Sequence, residues 1–372
     1  MVGKKYPYLL GPSNIGSVKL SNKAIVAPMT RVSATLDGTP TKIMQQHYES
    51  FARGQWGLIF TEGTYINEDE SQGYKNQPGI ANDKHISEWS KIVDIVHNCN
   101  TPIFQQLIHA GALIQENYYG RKAIAPSAVN QMGKMLPHYF GEGTFPVPRE
   151  ITKEEIKNTA ADFAKAALRS VEAGFDGIEI HGANGYLLDQ FLTEFANIRE
   201  DEYGGTIQNR IRFHCEVLES VLEAVSGKVP VGIRISQTKV NNFDYQWPNA
   251  EHDANIIFSA IKSVGPTYIH ISTHKGLEDV WGSNRNLASW AKELWGGLTI
   301  ACGGLHDPSR AENLLSKGEA DFIAIGKGAL ADPEWPKKIN SDILPTPFDP
   351  QMIKPYATLE NTNNWHKKNQ YF

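Results

Sequence analysis

The chain has 372 residues, 41% hydrophobic and 21% charged, with a formal net charge of −5, the balance of a globular protein with a sizeable core. That charge leaves no basic surplus for a nucleic acid, and no run of Lys and Arg forms a membrane-binding stripe, so the expected partners are small molecules. The three cysteines, Cys99, Cys215 and Cys302, lie far apart without Cys-x-x-Cys spacing; no zinc or iron–sulfur site is expected, and they read as reduced, largely buried thiols.

Met1 to Leu10 carries two lysines but no apolar stretch long enough for a signal peptide, and no later segment is apolar over a membrane-spanning length, so a cytoplasmic location is expected. In chain order, an apolar strand over Ala24 to Pro28 precedes a helical pattern over Thr41 to Arg53, and a strand over Gly57 to Thr61 precedes a helix over Ile86 to His97. Strands follow at Pro102 to Leu107, Gly177 to Ile180, Val229 to Ile235, Tyr268 to Ser272, Leu298 to Cys302 and Phe322 to Gly326. The intervening helical patterns include Lys153 to Ala173, Gln208 to Val225, Ala250 to Val264 and Pro308 to Lys317. This alternation predicts an α/β fold with a parallel sheet. Eight units without a break favour a closed (β/α)8 TIM barrel, because a doubly wound open sheet would carry Gly-x-Gly-x-x-Gly after its first strand and none is there. Residues 1–345 are assigned to the barrel, with a long insertion after the third strand at 112–149 that walls the mouth, and 346–372 to a C-terminal extension. From Pro345 onward the extension is polar and aromatic, with no clear helix period.

The strand ends carry polar residues that an apolar core would not need. Pro28-Met29-Thr30-Arg31 follows the first strand, Glu62-Gly63 the second, Gln106 precedes His109 at the third, and Arg234 closes the fifth. After the fourth comes His181-Gly182-Ala183-Asn184-Gly185-Tyr186, placing an imidazole, an amide and a phenol within six residues. Such a cluster can polarise an oxygen and deliver a proton. Residues at the C-terminal ends of barrel strands converge on one mouth, which favours a shared ligand over separate caps and ion pairs. The last two strands run into Gly303-Gly304 and Gly326-Lys327-Gly328, where bare backbone N–H groups and a lysine suit a phosphate. A phosphate there and polar groups around a larger ring describe flavin mononucleotide, FMN.

The chain resembles the Old Yellow Enzyme family of FMN-dependent ene-reductases across nearly its whole length. The resemblance rests on Ala27-Pro28-Met29-Thr30-Arg31, Ile59-Phe60-Thr61-Glu62-Gly63, Gln106-Leu107-Ile108-His109-Ala110-Gly111, His181 to Leu187, Asn197-Ile198-Arg199 with Asp201 to Gly205, Asn209-Arg210 and Gly232-Ile233-Arg234. It implies an FMN oxidoreductase that reduces the C=C bond of α,β-unsaturated carbonyl compounds with NADPH or NADH by a ping-pong mechanism. Pro28, Met29, Thr30, Gly63, Gln106 and Arg234 would surround the flavin, and Gly303, Gly304, Gly326 and Lys327 would hold its phosphate. His181 and Asn184 would bind the substrate carbonyl while hydride passes from flavin N5 to the β-carbon, and Tyr186 would protonate the α-carbon. Tyr74 and Ile108 would line the substrate pocket.

Departures from the family pattern fall mainly on substrate shape. Ile108 stands where many members have Trp, Lys327 replaces an Arg, and Gln237 stands where Pro is often found. The tail offers only Tyr356 and Trp365 as candidates for a tyrosine placed over the substrate. Thr30 matches one branch of the family and His109-Ala110-Gly111 another. Larger relatives with an iron–sulfur cluster are excluded by the cysteine pattern, and a flavin-holding protein without turnover would not need the His181, Asn184 and Tyr186 trio. No part of the sequence specifies an oligomeric state.

Overall fold

A computed structural model describes residues 5–369. Eight parallel strands form a closed barrel: β1 Ala24–Val26, β2 Leu58–Phe60, β3 Ile103–Ile108, β4 Gly177–Asn184, β5 Val231–Lys239, β6 Tyr268–Ser272, β7 Leu298–Cys302 and β8 Phe322–Ile325. Each pairs with its sequence neighbour, and β8 closes on β1 with Ile323 opposite Ala24. β4 and β5 run past the predicted ends. Their apolar residues only cover the helices' side, and the ladder continues through the polar tips to pair Lys239 with Asn184.

Alternation along each strand decides the rest. Ile178, Ile180, Ile233 and Ile235 pack against the helices, whereas Phe60, Phe104 and Tyr268 fill the barrel interior. Gly177 and Gly232 make room for two of these rings, since a Cβ would stand 2.6 Å from Phe104 and 2.3 Å from Tyr268. The bottom is plugged by an antiparallel hairpin, Ser13–Ile15 with Val18–Leu20, whose Ile15 and Leu20 join the interior cluster. The functional end is therefore the top.

Several outer helices begin at a residue whose side chain caps them. In α3, Lys153–Glu172, which follows α1 Lys42–Arg53 and α2 Asp83–His97, Thr152 and Glu155 form a reciprocal capping box, and Ile156, Phe163 and Ala167 bury one face. Next come α4 Leu187–Leu192, α5 Ile207–Val225, α6 Ala250–Val264, α7 Leu287–Trp295, α8 Pro308–Ser316, α9 Lys327–Ala331 and α10 Trp335–Asn340. α7, between β6 and β7, has no counterpart among the predicted helices. Between β3 and α3 no element exceeds three residues, and two-residue strands Ile124–Ala125 and Arg149–Glu150 pair to hold the insertion's ends together.

The tail, which shows no clear helix period in the sequence, forms α11 over Leu359–Lys368. Only Leu359, Thr362 and His366 are buried in it, too thin an apolar stripe to show a period, although Thr358 is a cap and accepts from Asn361 N–H. Arg31 holds this helix, donating from Nη2 to Thr358 O at 3.1 Å and to Thr362 Oγ1, while Leu359 N–H donates to Ser33 Oγ at 2.9 Å. Residues 1–4 and 370–372 of the assigned barrel and extension lie outside the described residues. Among the described residues no helix is long and apolar enough to cross a membrane.

Candidate active site

β4 carries His181 on the strand and ends at Asn184, which opens the turn into α4, and Tyr186 is the residue that precedes that helix. His181 is 4% exposed. Its burial and the nearby Arg234 charge hold the imidazole well below its ordinary pKa, so it is neutral. Nδ1 accepts from Ala183 N–H at 3.3 Å, which leaves the proton on Nε2 and makes that nitrogen the donor available to the pocket. Asn184 sits at φ +61, and among the described residues its side-chain amide makes no hydrogen bond. The Tyr186 ring meets His181 edge-on at 4.9 Å, and burial pushes its phenol above the ordinary range. Its hydroxyl lies 2.6 Å from that of Tyr74.

These three groups face a cavity of about 230 Å³ that is also lined by Pro28, Met29, Thr30, Gly63, Gln106, Ile108 and Arg234. Ten predicted residues thus meet in one place. Leu136 and Tyr139 from the insertion and Val240 beyond β5 complete the lining; the insertion was expected to wall the mouth, but nothing in the sequence marked Val240. Tyr74, expected at the mouth, is 2% exposed and does not line the cavity; it reaches the site through Tyr186. Arg31 also leaves the mouth, turning to the tail. Tyr356 stacks on Phe140 at 4.2 Å and Trp365 donates to Asp349, so neither covers the pocket.

Below the cavity, Gln106 Nε2 donates to Glu179 Oε1 at 2.7 Å, and the other carboxylate oxygen meets His270 Nδ1 at 2.7 Å. A carboxylate only accepts, so the Gln106 amide must turn its nitrogen down and its oxygen toward the pocket. Burial works against the His270 cation, but the facing carboxylate keeps its pKa above the ordinary value. Such a group contributes stability that is full below its unfolded pKa of about 6.5 and is lost as pH rises through the folded value. Glu179→Gln should therefore cost about 1–3 kcal/mol near pH 6, with the gap to wild type narrowing as pH is raised. A gap in thermal unfolding that stays constant from about pH 6 to 9 would sink this assignment.

A neighbouring cavity of about 260 Å³ is lined by Gly303, Gly304, Gly326 and Lys327. Gly304 takes φ +66 with open space where a Cβ would point, and Gly303 takes φ +134 with Thr273 O 2.4 Å from its would-be Cβ. Lys327 Nζ lies 5.7 Å from the Phe348 ring centroid. Arg234 links the two cavities, its Nη2 lying 3.6 Å from Cys302 Sγ. The three cysteines are free and partly buried, packed against the core clusters. Sequence reasoning missed Glu179, His270 and Lys239, whose partners stand tens of residues away. Only a charge inside an apolar strand run, as in Ile178-Glu179-Ile180, hinted at the first.

A family model described as "NADH:flavin oxidoreductase / NADH oxidase family" matches residues 8–345. A probable flavin mononucleotide-dependent alkene reductase of Leishmania infantum is 35% identical over 341 residues, covering 89% of this chain and 90% of that protein. The 12-oxophytodienoate reductase 2 of Arabidopsis thaliana is 33% identical, covering 90% and 88%. Among solved structures, morphinone reductase superposes with a TM-score of 0.82 at 29% identity, over 95% of this chain and 94% of that one. Its complex with tetrahydroNAD gives 0.81 at 31% identity, over 93% of each.

Proposed function

The chain belongs to the NADH:flavin oxidoreductase / NADH oxidase family, and from that premise we propose that it is an FMN-dependent oxidoreductase reducing the C=C bond of α,β-unsaturated carbonyl compounds, with NADH or NADPH as reductant in alternating half-reactions. One observation carries the reading: the neutral His181, the Asn184 amide and the Tyr186 hydroxyl meet at one cavity. The names of its relatives, alkene reductase and 12-oxophytodienoate reductase, support the same class.

The residues present fit FMN. Arg234 Nε is buried without a hydrogen-bond partner among the described residues, and Gln106 turns its amide oxygen to the same cavity. Both need a polar ligand. Pro28, Met29, Thr30, Gly63, Gln106 and Arg234 would surround the ring, and Gly303, Gly304, Gly326 and Lys327 would hold the phosphate. Bound there, FMN would supply the hydride. Arg234 would stabilise negative charge gained on reduction.

The side chains perform the rest. The Nε2–H of His181 and the Asn184 amide donate to a substrate carbonyl, withdrawing charge from its β-carbon. As enolate-like charge develops on that oxygen, the same two donors strengthen; one such donor is commonly worth about 2.7–4 kcal/mol in the transition state. The α-carbon takes its proton from Tyr186, whose raised pKa keeps the phenol protonated at neutral pH. Leu136, Tyr139 and Val240 add apolar surface to the cavity wall beside these groups.

The test is anaerobic. NADH or NADPH should bleach the yellow protein, and 2-cyclohexenone should then restore its colour. Bleaching without recovery on adding the enone would end the ene-reductase reading.

A further inference from the structure

The turn that presents Asn184 and Tyr186 is conformationally costly. Asn184 at φ +61 is followed by Gly185 at φ +88, and a non-glycine residue in the left-handed region persists only where its surroundings hold it. Every backbone polar group of the turn is tied. Asn184 N–H donates to Ser236 Oγ at 2.7 Å, and its carbonyl accepts from Val240 N–H at 3.0 Å. The Gly185 carbonyl accepts from Gln190 Nε2 at 2.7 Å, Tyr186 N–H donates to Ala183 O at 3.3 Å, and Tyr186 O accepts from Gln190 N–H at 2.8 Å. The shortest tie uses a charge. Gly185 N–H donates to Asp189 Oδ2 at 2.6 Å.

Asp189 is fully buried, and so is its partner. Lys239 Nζ lies 2.6 Å from Oδ1 and 2.7 Å from Oδ2, with its opposite face 4.7 Å from the Tyr245 ring centroid. Tyr245 in turn donates to Glu194. The lysine is the last residue of β5 and pairs in the ladder with Asn184 itself, just past an irregularity in the register. Two charges this deep carry a desolvation penalty that an apolar pair would avoid. Nothing in the barrel core requires them there.

We propose that Asp189 and Lys239 are positioning residues for the reaction: their buried ion pair clamps the Asn184-Gly185-Tyr186 turn so that the amide and the phenol share one fixed approach to the substrate. This rests on the ene-reductase reading. The clamp acts twice, since Asp189 fixes the turn from α4 while the ladder partner of Asn184 carries the opposite charge. A loosened turn would leave both groups present but misplaced, which costs binding and rate without unfolding the barrel.

The experiment compares FMN-loaded variants by phenol titration, reading the red-shifted charge-transfer band, together with the kcat and KM for 2-cyclohexenone. Asp189→Leu with Lys239→Met fills the space without charges; FMN content should match wild type, while phenol Kd should rise at least tenfold and kcat fall more than KM rises. Asp189→Asn with Lys239→Gln keeps an acceptor for Gly185 and should restore phenol affinity to within about threefold of wild type. Wild-type phenol affinity and kcat in the Leu/Met variant would overturn the proposal. Should that variant not accumulate as holoprotein, Asp189→Asn alone decides: phenol affinity must fall at least fivefold and recover on adding Lys239→Gln, and no fall overturns it. A wild-type protein that shows no charge-transfer band and no enone turnover would instead count against the ene-reductase reading itself.

Discussion

Replacing His181 and Asn184 together by alanine is expected to lower the rate of enone reduction by about 10³–10⁵-fold and to abolish the charge-transfer band with phenols. Each side chain is one preorganised donor, and losing a single such donor commonly costs about 10²–10³ in kcat. The pair acts on one oxygen, so the double change should fall short of the product of the singles. The structure explains why neither can be replaced from nearby. Tyr186, the remaining polar group of the trio, is held at the Tyr74 hydroxyl. FMN content should be unchanged, because Gln106, Arg234 and the glycine cradle are untouched. A double variant that still binds phenols with wild-type affinity would show that the oxygen-binding pair lies elsewhere.

Tyr186→Phe is expected to slow the oxidative half-reaction with an enone by about 10²–10⁴-fold, the usual yield of a positioned general acid. Bleaching by NADH or NADPH and phenol binding should stay within about twofold, since neither uses its proton. Quinones, which take their protons on oxygen, should also be reduced at the wild-type rate. Burial raises the Tyr186 pKa, so its acid form persists and the wild-type rate should not fall with pH anywhere below about 10. Equal losses on enone and quinone would mean that the substitution disturbs the pocket rather than removes an acid. Stopped-flow traces of the two half-reactions separate these outcomes.

Much of this site could be read from sequence because its members sit at ends of short apolar runs, and the trio of His181, Asn184 and Tyr186 falls within six residues. The barrel was legible for the same reason: each strand is an apolar segment with a polar tip. What sequence did not show are relations at a distance. Gln106 and His270 meet Glu179 across 73 and 91 positions, and Lys239 meets Asp189 across 50. Each of these is an ordinary residue in its local stretch, and only closure of the barrel gives it a partner. α11 escaped because tertiary contacts, not an apolar stripe, hold it. Tyr356 was considered for the pocket; its ring instead supports Phe140, next to the Tyr139 that does line it.

The tie between Arg31 and α11 joins positions 331 apart in the chain, and with Ala357 N–H donating to His138 O at 2.8 Å it draws the loop after β1 and the insertion toward one segment. Taken alone, such a long closure is entropically demanding. Once β8 has paired with β1, however, the tie closes a loop of only about 40 residues, which lowers the chain-entropy cost by roughly 2 kcal/mol. Barrel closure thus brings the two segments into reach, and a contact that is costly in the open chain becomes cheap enough to help fix the walls of the pocket.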